Sequence, residues 1–166
     1  MVRYRRAISD NPDQIYFFTI VTKNREEIFK SRSDFVKLWE TLSDKCKRSN
    51  GEIIAFVFLP NHLHILLKQG SIPFSTLIAG FKRKMNSFYF ESKGSLWQPR
   101  FWEHKIRDDK DLSRHFDYIH YNPVKHGYAK SPRDWQYSSF MKYVDLEFYP
   151  LDWAEDGGDI YTGEIY

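Results

Sequence analysis

A nine-residue run, Leu59-Pro60-Asn61-His62-Leu63-His64-Ile65-Leu66-Leu67, constrains this chain more than any other stretch. From His62 onward it has the character of a buried β-strand. In an extended strand, positions i and i+2 point to the same face. His62 and His64 therefore stand side by side, while Leu63 and Ile65 point the other way. A single buried imidazole has many structural uses. Two in register, on a strand otherwise built of Leu and Ile, form half of a metal site, because neutral imidazole is the commonest protein ligand for metals.

The flanking sequence supplies a frame for that strand. Ile15 to Thr22 is β-branched and aromatic, hence a strand. Ser33 or Asp34 caps a helix with the stripe Phe35, Leu38, Trp39, Leu42 and Cys46, which stops near Asn50-Gly51. Ile53 to Leu59 is a buried strand; Pro60-Asn61 breaks it, and His62 to Lys68 resumes as its hairpin partner. After a turn at Gly70 to Pro73 comes a long helix with the stripe Phe74, Leu77, Ile78, Phe81, Met85, Phe88 and Tyr89, ended by Lys93-Gly94-Ser95. Trp97 to Arg107 is a short extended segment containing Trp102, His104 and Ile106. A last helix, Asp109 to Asn122, buries Leu112, Phe116 and Ile119 and is stopped by Pro123. The order β-α-β-β-α-β-α predicts an α+β protein. Its plan is ferredoxin-like, a βαββαβ antiparallel sheet with helices on one face and one further C-terminal helix.

At 166 residues the chain is one domain with a real core. Seven of its 22 acidic residues fall between Asp145 and Tyr166, a stretch without Lys or Arg; the rest carries all 25 basic residues against 15 acidic ones. The division is therefore a basic body, 1–144, and an acidic tail, 145–166. This asymmetry points to a polyanionic partner, with a tail that either competes with it or is simply solvated. The one cysteine, Cys46, lies on a helix stripe and reads as core. No signal-peptide pattern is present, and no apolar run approaches the ~20 residues that cross a membrane, so a cytoplasmic protein is expected.

On the last helix, Tyr118 and Asn122 are i and i+4 and stack one turn apart on a flank of the buried stripe, with His115 on the same side. Packed beside the sheet, this edge would complete a metal centre with His62 and His64. Two imidazoles and an amide oxygen suit Mn²⁺ or Mg²⁺ with open positions better than a closed zinc site. Each piece has a plainer reading: a structural histidine pair, a packing tyrosine, an asparagine that caps a helix before proline. The conjunction carries the inference.

The string Leu59-Pro60-Asn61-His62-Leu63-His64-Ile65-Leu66 resembles the H-U-H signature, U being a bulky hydrophobic residue, of single-tyrosine HUH transposases. The strings Trp97-Gln98-Pro99-Arg100-Phe101-Trp102-Glu103-His104 and Asp117-Tyr118-Ile119-His120-Tyr121-Asn122-Pro123-Val124-Lys125-His126-Gly127 are similar to those of its REP-associated tyrosine transposase branch, named for repetitive extragenic palindromes. The resemblance runs from about Tyr4 to Trp153. It implies metal-dependent cleavage and rejoining of single-stranded hairpin DNA through a 5′-phosphotyrosine. His62, His64 and Asn122 would hold Mg²⁺ or Mn²⁺, and Tyr118 would be the nucleophile. Tyr121, about 60° further from the buried stripe, ranks second. His115 or His120 would accept the phenol proton.

DNA binding would draw on Arg3, Arg5, Arg6, Lys82 and Arg83, with phosphate contacts giving a salt-dependent affinity. Trp97, Phe101, Trp102, Tyr121 and Tyr128 would stack on unpaired bases. Trp153 would anchor the acidic tail over the basic groove. Two other readings compete: a hairpin DNA- or RNA-binding module of the same fold that does not cut, and a metal-dependent hydrolase in which water attacks. The sequence is compatible with a monomer or a homodimer.

Overall fold

The computed structural model describes residues 11–90 and 94–155. Arg3, Arg5, Arg6 and Lys93 therefore lie outside the described residues. The elements follow the order β1 (Ile15–Val21), α1 (Arg32–Arg48), β2 (Glu52–Phe58), β3 (His62–Lys68), α2 (Phe74–Tyr89), β4 (Trp102–Lys105), α3 (Asp109–Lys125) and a short α4 (Phe140–Asp145). The four strands form one antiparallel sheet in the order β2-β3-β1-β4, the ferredoxin-like arrangement.

Strand alternation gives the sheet two different faces. Tyr16, Phe18 and Ile20 of β1 and Leu63, Ile65 and Leu67 of β3 bury one face against Leu38, Leu42 and Cys46 of α1 and Leu77, Ile78, Phe81 and Met85 of α2. Each such side chain contributes roughly 1.5–3 kcal/mol when fully buried. Tyr89 of α2 donates to Asp34 of α1 at 2.6 Å and ties the two helices together. The other face carries Phe17, Thr19, Ala55, Val57, His62, His64 and Leu66, and α3 lies on it through Phe116, Tyr118 and Ile119. The free edge of β2 is covered: Phe58 N–H donates to Tyr137 O, Ser139 N–H to Phe56 O, and Trp135 Nε1 to Phe58 O.

Several boundaries differ from the sequence expectation. The cap of α1 is Ser31, neither Ser33 nor Asp34. Its hydroxyl accepts from Asp34 N–H, and the Asp34 carboxylate accepts from Ser31 N–H, a reciprocal capping box. Trp39 and Phe88, placed on buried stripes, are 43% and 42% exposed. Both lie at the margin of their stripes. Trp39 leans on Phe56, and Phe88 sits beneath the Lys84 ammonium, 4.7 Å from the ring centroid. Pro123 does not stop α3. In the last turn a proline forfeits only its own N–H bond, and α3 closes two residues later in a Schellman motif. Tyr128 N–H reaches Pro123 O and Gly127 N–H reaches Val124 O, with Gly127 at φ 73°, the left-handed region open to glycine.

Candidate active site

Register places the site. Across β1, Val21 faces His62 and Thr19 faces His64 on one side, while Thr19 faces Trp102 and Phe17 faces His104 on the other. These side chains form a row under α3, which adds His115, Tyr118 and Asn122 from its inner surface, all buried. Five of the six histidines gather here; ring contacts link His126 to His62, His62 to His64, and His115 to His104.

The sequence-predicted quartet does come together. Asn122 Oδ1 lies 3.1 Å from His62 Nε2, and the Tyr118 ring stands edge-on to His64 with centroids 5.1 Å apart. His64 is fully buried, and Thr19 Oγ1 holds its Nδ1 at 2.9 Å. Burial, and then the charges of His62, His126, Lys125 and His115, push the His64 imidazole well below its usual range. It is therefore neutral at pH 7, the form that ligates a metal.

His62 supplies a test of whether a cation fits. Its Nδ1 is 2.6 Å from Asn61 Oδ1, and its Nε2 faces Asn122 Oδ1, so both ring nitrogens meet amide oxygens. A neutral imidazole has one N–H. With that proton given to Asn61, Nε2 and the Asn122 oxygen turn lone pairs toward each other, as two ligands of one ion do. Asn122 Nδ2 is buried without a hydrogen bond in this arrangement. Rotating the amide by half a turn would instead donate Nδ2–H to His62, the arrangement expected without an ion. The donor set fits a divalent cation.

Other candidates fall elsewhere. His120, about 200° round α3 from Tyr118, bonds Ser139 Oγ through Nε2 at 2.8 Å and packs on Tyr149. Burial pushes its imidazole down to about 3. It is therefore not placed to accept a proton at Tyr118, whereas His115 lies on the same side of α3 as Tyr118. Trp97 is buried and donates from Nε1 to Lys82 O, so it is unavailable for base stacking. Lys82 is half-buried; its ammonium donates to Gln98 O at 2.7 Å and reaches Pro99 O at 3.4 Å. Arg83 is exposed on α2, the layer opposite the histidine row. Trp153, expected to anchor the acidic tail over the basic groove, packs against Tyr149 and Phe140 beside His120.

Two neighbours of the quartet, both within the Asp117–Gly127 string, carried no assigned role. His126 is the C-cap of α3, and its ring lies 4.8 Å from that of His62. The Lys125 ammonium lies 5.0 Å from the Tyr118 ring centroid. Both were hidden because the α3 terminus was expected three residues earlier.

Comparisons with known proteins identify the family. The family described as "Transposase IS200 like" matches residues 12–122. A REP-associated tyrosine transposase of Escherichia coli (strain K12) is 39% identical over 152 residues, covering 90% of each chain. A Haemophilus influenzae protein provisionally given the same name is 38% identical over 170 residues, covering 93% of this chain and 94% of its own length. A solved structure of a REP-associated tyrosine transposase bound to a REP hairpin superposes with a TM-score of 0.81 at 35% identity, covering 100% of this chain and 99% of that one. The chain belongs to the IS200-like transposases, in the branch of the REP-associated tyrosine transposases. Among the described residues, no helix is long and apolar enough to cross a membrane.

Proposed function

We propose that this protein cleaves and rejoins single-stranded DNA beside a palindromic hairpin, with Tyr118 as nucleophile and His62, His64 and Asn122 as ligands of Mg²⁺ or Mn²⁺. One observation carries the reading. Within one chain, α3 sets Tyr118 against His64 and, one turn on, Asn122 against His62. A hairpin substrate is favoured because the 35%-identical structural relative is bound to one. Since α3 packs on its own sheet, a monomer suffices to assemble the site.

In this mechanism the Tyr118 phenolic oxygen attacks phosphorus. The bond to the 3′-oxygen breaks, leaving a 5′-phosphotyrosine; the phenol proton passes to a base or to solvent, and the leaving 3′-oxygen takes up a proton from the same source to become a 3′-hydroxyl. A bound divalent ion would draw charge from the phosphate oxygens and orient them. Thr19 and Asn61 fix the imidazoles through their Nδ1 atoms, and Asn122 fixes the distance of α3 from β3. Attack by a DNA 3′-hydroxyl on the phosphotyrosine reverses the step and rejoins strands without a nucleotide cofactor. Arg83, with Arg3, Arg5 and Arg6, would hold phosphates, and Lys82 would shape the Gln98–Pro99 loop. The substrate would be chromosomal DNA, reached in the cytoplasm.

Tyr118 is only 2% exposed. DNA must therefore approach from the exposed His126 end, and the phenol or the end of α3 must swing outward before attack. The same burial favours a second reading, a hairpin-binding module in which Tyr118 merely packs. A covalent-trapping assay separates them: protein, labelled single-stranded DNA carrying its own flanking palindrome, and Mn²⁺ on a denaturing gel. The proposal expects a protein–DNA band that is lost with EDTA. Cleavage without the band would make water the attacker, and binding without cleavage would favour the module.

A further inference from the structure

Beyond the quartet, a second group on the same face has the composition of a metal site. His104 of β4 and Asp111 and His115 of α3 each offer a donor atom within 4.8 Å of the others. His104 Nε2 lies 2.7 Å from Asp111 Oδ2, and the Nδ1 edge of the His115 ring passes 3.4 Å from Asp111 Oδ1, which leaves His115 Nε2 as the ligating atom. The two rings stack with centroids 4.8 Å apart.

We propose that His104, Asp111 and His115 form a second divalent-metal site, distinct from the His62–His64–Asn122 site, that pins β4 to the first turns of the tyrosine-bearing helix. The state of His115 is the independent observation. Its Nδ1 donates to the Asp111 backbone carbonyl at 2.7 Å, and its Nε2 is buried with no hydrogen-bond partner. A ring proton fixed by a backbone carbonyl, with a bare buried lone pair on the other nitrogen, is the usual condition of a ligating histidine. Leaving that nitrogen bare is otherwise unfavourable.

The site is reachable. The Asp111 side chain is 12% exposed and that of His104 21%. Arg107 also contacts Asp111, through its backbone N–H at 3.0 Å and Nε at 3.4 Å. Its side chain is 74% exposed, so the longer contact can yield to an ion. Two imidazoles and a carboxylate with open positions suit Zn²⁺ and other late first-row ions. Phe17 separates the two sites, its ring packing 5.4 Å from His64 on one side and 4.7 Å from His115 on the other.

The test is titration of the full chain with Co²⁺, read by its visible absorption and by calorimetry. In a His62→Ala/His64→Ala protein, one equivalent of Co²⁺ should still bind. Adding Asp111→Asn or His104→Gln, each able to keep the side-chain hydrogen bond, should weaken that equivalent at least tenfold while circular dichroism stays native. An equivalent lost with His62 and His64 reports the first site, so the failure of either site is read separately. If no equivalent depends on Asp111 and His104, in this background or in the wild-type protein, the second site does not exist.

Discussion

The two faces of the sheet are cut from the same strands and packed by opposite chemistry. On the face toward α1 and α2, β1 and β3 present Tyr, Phe, Ile and Leu, and little but carbon meets carbon. One residue along, the same strands present Thr19, His62 and His64 to α3, which answers with His115, Tyr118 and Asn122. The first face supplies burial energy; the second spends some of it to hold neutral imidazoles and an amide in a dry setting. A strand can do both because its side chains alternate.

Substitutions should separate the faces. The largest effect is expected at the nucleophile: Tyr118→Phe should lower covalent adduct formation by on the order of 10⁴-fold or more while leaving the fold intact, measured by adduct yield and thermal melting. On the apolar face, Phe18→Ala should do the reverse. It should cost about 3–5 kcal/mol in denaturant unfolding and leave cleavage per folded molecule nearly unchanged.

Acid should attack the buried histidines, His64 and His115 on the sheet face and His120 on the far side of α3. Burial holds His120 down to about 3, against an ordinary 6.5, and His64 and His115 are depressed in the same direction. The unfolded chain therefore takes up these protons first as pH falls. Stability is full above about pH 6.5, declines through the window down to about 3 for His120, and loses nothing more from that group below it. His120→Asn should flatten the decline without abolishing it, as followed by urea unfolding at stepped pH.

Next in size, Mn²⁺ at about 100 times its Kd should stabilise the wild-type protein by roughly 2.7 kcal/mol, and His62→Ala/His64→Ala should remove that gain. Any stabilisation that survives in the variant reports the His104–Asp111–His115 group. The smallest effect belongs to α1, where Ser31→Ala should cost about 1 kcal/mol through the lost cap, with no change in cleavage.

The sequence disclosed what depends on local period. Alternation in His62 to Leu67 separated the two faces correctly, and the spacing of Tyr118 and Asn122 put both on the inner surface of α3. Features set by partners distant in the chain were hidden. Thr19 orients His64 only because β1 pairs with β3 in that register. His120 and His115 looked equivalent until residues 137–153 closed over His120 and left His115 beside Phe17. A helical stripe has no marked edge, which is why Trp39 and Phe88 were expected inside. Pro123 misled because its cost depends on how many turns follow it, and here fewer than one does.

The most direct test is to map the adduct. Protein trapped on its hairpin DNA with Mn²⁺ is digested, and the peptide carrying the nucleotide remnant is sequenced by mass spectrometry. The account predicts a phosphodiester on Tyr118. A remnant on Tyr121 or on any other residue, or cleaved DNA with no modified peptide, would contradict it.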